Sequence, residues 1–291
     1  MADKREVDQA TNTETTGHEW DGIKELDTPM PRWWLWTFYA CIVWAVIYSI
    51  LMPAWPLVNG ATPGLLGYSS RVNVENELQA VREANGPLND QIMEVSLDQI
   101  ADNADLERFA MAGGGAVFRN HCSQCHGAGG QGALGGYPNL LDDEWLWGGT
   151  LDEIYQTILH GIRYDADPDT RFSQMPAFGE ILEAEEIDGL VQYVLSLSGA
   201  DHDAVLASGA AEAFLDNCSA CHGEDGRGMA EQGAPNLTNG IWLYGGDPES
   251  IQATIAYSRY GIMPSFSLNN RLTEADIRKV SVYVHTLGGG Q

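Results

Sequence analysis

FRNHCSQCHGAGGQGALGGYPNL at residues 118–140 and FLDNCSACHGEDGRGMAEQGAPNL at residues 214–237 are two copies of one pattern. The agreement runs on downstream. EWLWGG (144–149) answers IWLYGG (241–246), Thr157-Ile158 answers Thr254-Ile255, QMPAF (174–178) answers IMPSF (262–266), and IDGLVQYVLSLSG (187–199) answers IRKVSVYVHTLGG (277–289). Cys122 and Cys218 are 96 residues apart, Trp145 and Trp242 97, and Met175 and Met263 88. The second copy is therefore about nine residues shorter between its Thr-Ile pair and its methionine. The first fills that interval with Arg163–Gln174, RYDADPDTRFSQ, an acidic loop expected on the surface and in a position to tune docking of a partner. Self-similarity on this scale marks a duplicated domain.

Apolar residues recur three and four apart at Ile187, Leu190, Val191, Val194 and at Ile277, Val280, Val284. This predicts a closing helix in each copy, over 184–197 and 273–287, the second opened by Thr273 with Asp276. Shorter helices are expected near 153–160 and 249–257. With 33 glycines and no strand pattern of useful length, each copy reads as mostly α with long loops. The copies are assigned to 106–200 and 201–291, preceded by a connector over 56–105.

Each copy carries Cys-x-x-Cys-His: Cys122, Cys125, His126 and Cys218, Cys221, His222. This is the attachment pattern of covalent haem c. Two thiols about one helical turn apart reach the two vinyl groups on one porphyrin edge, and the adjacent histidine falls under the iron. A zinc site would need further Cys or His ligands, and no repeat-matched histidine occurs elsewhere in the copies. The sixth iron ligands are expected from the matched Met-Pro-x-Phe loops, at Met175 and Met263. Thioether ligation raises the potential and closes the iron, which suits electron transfer. Met229, His121, His160 and His285 read as non-ligands. The repeat alone allows each methionine to pair with the histidine of its own copy or the two to be exchanged; pairing within a copy is the expectation.

Trp33 to Trp55 contains no charged side chain. Its roughly 20 apolar residues before Pro53 span roughly 30 Å as a helix, one bilayer core, with tryptophans at both ends. Residues 33–55 are read as a single transmembrane helix, and 1–32 as a cytoplasmic segment. Cys41 within it reads as a buried structural thiol. Haem c is attached outside the bacterial cytoplasm, so both copies are expected in the periplasm, on a protein of the inner membrane. The formal charge of −26, from 41 acidic and 15 basic side chains, excludes nucleic acid as a partner. It fits either a generally acidic exported surface or steering of a basic partner.

The run HEWDGIKELDTPMPRWW, His18 to Trp34, resembles the juxtamembrane segment of the FixP/CcoP-type diheme cytochrome c subunits of cbb(3)-type cytochrome c oxidases. The resemblance covers nearly the whole chain. It implies one N-terminal transmembrane helix followed by two tandem class I cytochrome c domains. It implies two covalent haem c groups on Cys122, Cys125, Cys218 and Cys221, with irons held by His126, His222, Met175 and Met263. In class I cytochromes c a proline carbonyl accepts the Nδ1–H of the haem histidine, a role falling on the Pro138 and Pro235 segments. The implied partners are a donor cytochrome c, a monohaem cytochrome c subunit and the membrane-embedded catalytic subunit, which reduces oxygen and pumps protons. The chain is not expected to be an enzyme by itself: its membrane helix has no histidine cluster for a haem–copper centre. A free-standing diheme carrier would share the haem chemistry but not this segment. A diheme peroxidase would need an open iron position.

Overall fold

The computed structural model describes residues 6–288; the first five residues of the 1–32 segment and the last three of the second copy lie outside the described residues. The chain divides into two units, residues 1–82 and 83–291.

In the first unit, β1 (Val7–Asp8), β2 (Thr13–Trp20) and β3 (Ile23–Leu26) form an antiparallel meander. These strands lie in the 1–32 segment, for which the sequence reading gave no secondary structure. Their sequence signal is Asp21-Gly22, with φ of 51° and 85°, the two left-handed residues of a tight hairpin loop. The polar composition of β2 hides the alternation.

The apolar run forms α1 (Arg32–Leu51), long and apolar enough to cross a membrane and with no buried residue. A helix apolar all round and uncovered by its own chain is suited to lipid or to neighbouring membrane helices. Cys41 is accordingly exposed within this chain, not enclosed by it. The helix stops short of Trp55, because Pro53 cannot continue it. The chain then folds back: the Leu65 and Leu66 amides donate to the Ile50 and Leu51 carbonyls at 3.0 Å, covering two of the helix's last acceptors. Gly64, at φ 69°, makes this approach possible, since a Cβ there would lie 2.4 Å from Leu51 O. Pro56–Leu57 (β4) and Gly60–Ala61 (β5) form a small hairpin between. Helix α2 (Ser70–Glu94) begins in this unit and ends in the next.

The second unit is helical: α3 (Leu97–Asp102), α4 (Ala104–His121), α5 (Ser123–His126), α6 (Leu151–His160), α7 (Ala184–Leu197), α8 (Ala204–Gly209), α9 (Ala211–Asn217), α10 (Ser219–His222), α11 (Pro248–Tyr257) and α12 (Glu274–His285). The expected closing helices are α7 and α12, and Thr273 accepts the Asp276 amide as an N-cap. Capping boxes at Ser96/Gln99 and Thr150/Glu153 start α3 and α6. The last turn of α2 is tied down by Arg278, which donates to the Ile92 carbonyl at 2.9 Å and to that of Val95.

The two copies do not close on themselves. Helix α12, from the second copy, packs on α4 and α6 of the first; α7, from the first copy, packs on α8, α9 and α11 of the second. One core joins Phe118, Ile154 and Ile158 to Phe266, Ile277, Val280 and Val284. Its counterpart joins Phe178, Ile187, Leu190 and Val194 to Phe214, Leu237, Ile251 and Ile255. Each has an aromatic pair at its centre, Phe118–Tyr283 at 5.5 Å and Tyr193–Phe214 at 4.9 Å between centroids. The α4–α12 crossing is close because α4 carries Gly113-Gly114-Gly115: a Cβ on Gly114 would meet Lys279 O at 2.3 Å.

Candidate haem sites

The cysteine motifs lie at helix junctions. The Cys122 amide donates to Phe118 O at 2.9 Å and the Cys218 amide to Phe214 O at 2.8 Å, so α4 and α9 run directly into the short turns α5 and α10. The histidine follows at the end of each turn, and Gly127 and Gly223, at φ 78° and 77°, release the chain. His126 Nδ1 donates to Pro138 O at 3.0 Å, and His222 Nδ1 to Pro235 O at 3.1 Å. This fixes the ring and leaves Nε2 free to ligate. Burial pushes both histidines below their usual pKa, only partly offset by the proline carbonyls, so the imidazoles are neutral near pH 7. Burial pushes the Cys122 and Cys218 thiols up to about 11.

Each motif opens into its own apolar cavity. The first, open-sided, is lined by Cys122, Cys125, His126, Phe118, Ile158 and Val284, and its methionine is Met263. The second is lined by Cys218, Cys221, His222, Phe214, Leu190 and Ile255, and its methionine is Met175. The expectation that each methionine serves its own copy is thus corrected: the structure brings Met263 to the first motif and Met175 to the second. The physical reason is the exchange of the closing segments, since each methionine precedes the helix that crosses over. The backbone fixes the exchange at the methionines themselves. Ile162 N donates to Met263 O at 2.9 Å and Met263 N to Ile162 O at 3.0 Å. Gly161, at φ 71°, permits this, because a Cβ there would lie 2.3 Å from Met263 O. In the other site Ser258 Oγ, from the repeat position of Gly161, donates to Met175 O.

The residues fit haem c: two thiols, a histidine and a thioether line each cavity, with apolar side chains making up most of the rest. Met229 is exposed and lines neither cavity. His160 Nδ1 lies 3.3 Å from both Asp167 oxygens, a structural pairing. The long loop of the first copy is exposed at Asp165, Asp169 and Phe172, as expected, but it is anchored at its centre. Asp167 is 4% exposed, Arg163 lines both cavities, and Arg171 is bonded to Thr157 and Trp147 of the first cavity's wall.

Sequence reasoning passed over those arginines. Arg259 donates to Thr254 Oγ1 at 2.6 Å and Tyr244 O at 3.2 Å, and stacks on the Tyr244 ring. Arg171 makes the same set in the first copy, to Thr157 Oγ1 at 3.2 Å and to Trp147 O, over the Trp147 ring. The matched Arg163-Tyr164 and Arg259-Tyr260 pairs were the available signal, but they pair Arg259 with Arg163 instead. The two cavities share Leu146, Arg163, Leu243 and Gly261 as a common wall.

Residues 12–59 match the family described as the N-terminal domain of cytochrome oxidase-cbb3, FixP; residues 109–194 match cytochrome c oxidase, cbb3-type, subunit III; residues 207–288 match cytochrome c. Over 95% of both chains, the sequence is 56% identical to the cbb3-type cytochrome c oxidase subunit CcoP of Cereibacter sphaeroides. It is 53% identical to CcoP of Rhodobacter capsulatus over 96% of both chains, and 46% identical to the FixP subunit of Sinorhizobium medicae over the full length of both.

Proposed function

The chain belongs to the FixP/CcoP family of cbb3-type cytochrome c oxidase subunits, and from that premise we propose that it is the relay bringing electrons from a donor cytochrome c to the rest of the oxidase. As a member it is a membrane-anchored, electron-transfer cytochrome c with covalently bound haem c, acting alongside other oxidase subunits and with no catalytic activity of its own. The finer reading is two haems c, one on Cys122 and Cys125 with His126 and Met263 as iron ligands, the other on Cys218 and Cys221 with His222 and Met175. Electrons pass to a monohaem cytochrome c subunit and on to the catalytic subunit, which reduces oxygen to water and pumps protons. Helix α1 crosses the inner membrane once, with residues 1–32 in the cytoplasm and both cytochrome domains in the periplasm.

Haem c supplies reversible one-electron chemistry when bound. The protein's part is to hold it. The cysteines fix one edge, Pro138 and Pro235 orient the proximal rings, and Phe118, Ile158, Phe214 and Ile255 exclude water from the cavities. The observation that supports the relay reading is the wall common to both cavities, which lie side by side in one unit.

The test is to draw the tagged full chain from its native membrane in mild detergent. Co-purifying b-type haem, copper, and oxygen uptake with reduced cytochrome c are expected. A chain that emerges alone with its c haems would be a free-standing carrier.

A further inference from the structure

Two polar groups at the common wall lack the partners their burial calls for. The Tyr244 hydroxyl is buried and has no hydrogen-bond partner among the described residues. Burial pushes its pKa up, so it is a neutral donor. Beside it, Arg163 uses Nε on Ser173 O at 2.6 Å and Nη1 on Gly261 O at 3.1 Å, leaving Nη2 unengaged. Its guanidinium lies 5.6 Å from the Trp147 ring centroid and 5.5 Å from that of Tyr260. Burial draws its pKa down and no carboxylate compensates. No Asp or Glu lines the second cavity. Glu144, the one acid lining the first, is instead bonded to Asn239. A half-buried cation and a buried hydroxyl donor, side by side and both short of an acceptor, call for an anion with more than one oxygen.

We propose that Arg163 and Tyr244 are a carboxylate-binding pair that takes a propionate of the haem held by Cys218, Cys221 and His222, while the Arg163 charge acts on both haems across the common wall. Tyr244 lines the second cavity and not the first; Arg163 lines both. The Tyr244 hydroxyl lies on the shared side, where a Cβ on Gly136 would be 3.4 Å from it and one on Gly261 3.9 Å. Arg163 is free for this because Arg171 has taken the acceptors that Arg259 holds in the other copy. The inference rests on the haem assignment above and adds to it two positioning residues and a shared charge.

Potentiometric titration of the detergent-solubilised full chain tests it, each haem being assigned by replacing one cysteine pair in parallel. R163M and R163Q remove the cation, so ferric iron is less disfavoured at both sites. Each redox equilibrium shifts about tenfold toward oxidation, about 59 mV downward. R163K keeps the charge and moves both by less than about threefold. Y244F lowers the second haem alone. Potentials unmoved at either haem in the uncharged variants, or a fall in R163K as large as in R163M, overturn the shared charge. A Y244F titration identical to the parent overturns the propionate contact, and it stands as the test should the arginine variants not load haem. A parent chain lacking two c haems or the methionine–iron charge-transfer band would overturn the site assignment itself; an intact parent with unmoved variants overturns only this pair.

Discussion

Gly114→Ala probes the contact on which the exchange of closing helices depends. The new methyl carbon would stand 2.3 Å from Lys279 O, 2.7 Å from Tyr283 Cβ and 2.8 Å from Lys279 C. Ordinary carbon–oxygen contacts are about 3.3 Å or longer, so α4 and α12 must separate by about 1 Å. Two of the three obstructing atoms are backbone and cannot swing away. Overpacking of this kind costs about 1–3 kcal/mol, toward the upper end here. Alanine returns up to about 1 kcal/mol in helix propensity. The net loss is about 1–2 kcal/mol, or about 2–8 °C in a unit of this size. Gly189→Ala, at the matching crossing of α7 with the second copy, is the control. Its methyl would meet Ala210 Cβ at 3.2 Å and little else, so propensity offsets the strain and the midpoint stays within about 2 °C of the parent. The assay is thermal unfolding of the haem-loaded full chain, followed by helical circular dichroism and the methionine–iron band. A Gly114→Ala midpoint at or above the parent's, or an equal fall in Gly189→Ala, refutes the reasoning.

Exchanged ligation has a direct signature. With Cys218 and Cys221 replaced by alanine, only the first haem remains; Met263→Ala then abolishes the methionine–iron band, whereas Met175→Ala preserves it, and the reverse result restores pairing within each copy. Deleting Asp165–Asp169 removes the Asp167 pairing with His160 and displaces Arg171 from Thr157. The expected outcome is reduced loading of the first haem; full loading with only a changed KM for the donor cytochrome would return the loop to a docking role. Asp276 gives a pH dependence. Burial pushes its carboxyl up, but the Lys279 ammonium at 2.8 Å and the Thr273 hydroxyl outweigh that and hold it below its ordinary 3.8. A carboxyl depressed in the folded state stabilises above its unfolded pKa, and that contribution is lost as pH falls from about 4 through the depressed value. Asp276→Asn flattens that part of the acid loss in thermal midpoints. It also costs about 1–3 kcal/mol, because Lys279, at 8% exposure, loses its carboxylate partner and keeps Asn89 Oδ1 at 3.2 Å and the Phe109 ring.

The paired Cys-x-x-Cys-His motifs, the closing helices and the long apolar helix were legible because each rests on local chemistry: a five-residue motif, a 3.6-residue period, an uncharged run. The pairing of the two copies was not, because duplicated segments carry near-identical apolar faces and either arrangement buries them. Small residues decide it, and their meaning appears only once the helices are placed. Gly114 corresponds to Ala210, and Lys279 to Gly189. On α8 and α9, α12 would set Lys279 against a methyl where it now finds none. On α4, α7 would set Gly189 against Gly114 and leave a gap. The observed exchange matches the bulky partner to the glycine and the glycine to the alanine. The N-terminal meander was missed for a different reason: its strands are mostly exposed, so no alternation of burial is written into them.

The exchange also gives the extra residues of the first copy a reason. In the second copy five residues, 258–262, carry the chain from one cavity to the methionine of the other, so crossing alone needs no long loop. In the first copy the same journey takes in Asp167 and Arg171 before Met175. Asp167 anchors the loop on His160, and the Asp169 amide donates to it at 3.0 Å. Arg171 N then returns to Gly161 O at 3.3 Å, delivering its guanidinium to Thr157 and Trp147. Without that detour Arg163, the sequence counterpart of Arg259, would be the only guanidinium within reach of those acceptors. With it, Arg163 turns to the common wall and breaks the symmetry of the duplication at the one place where both cavities are touched by a single charge. A duplicated cytochrome with identical halves would offer two like sites in series; the shared Arg163 and the unmatched Tyr244 are two of the features by which these cavities differ.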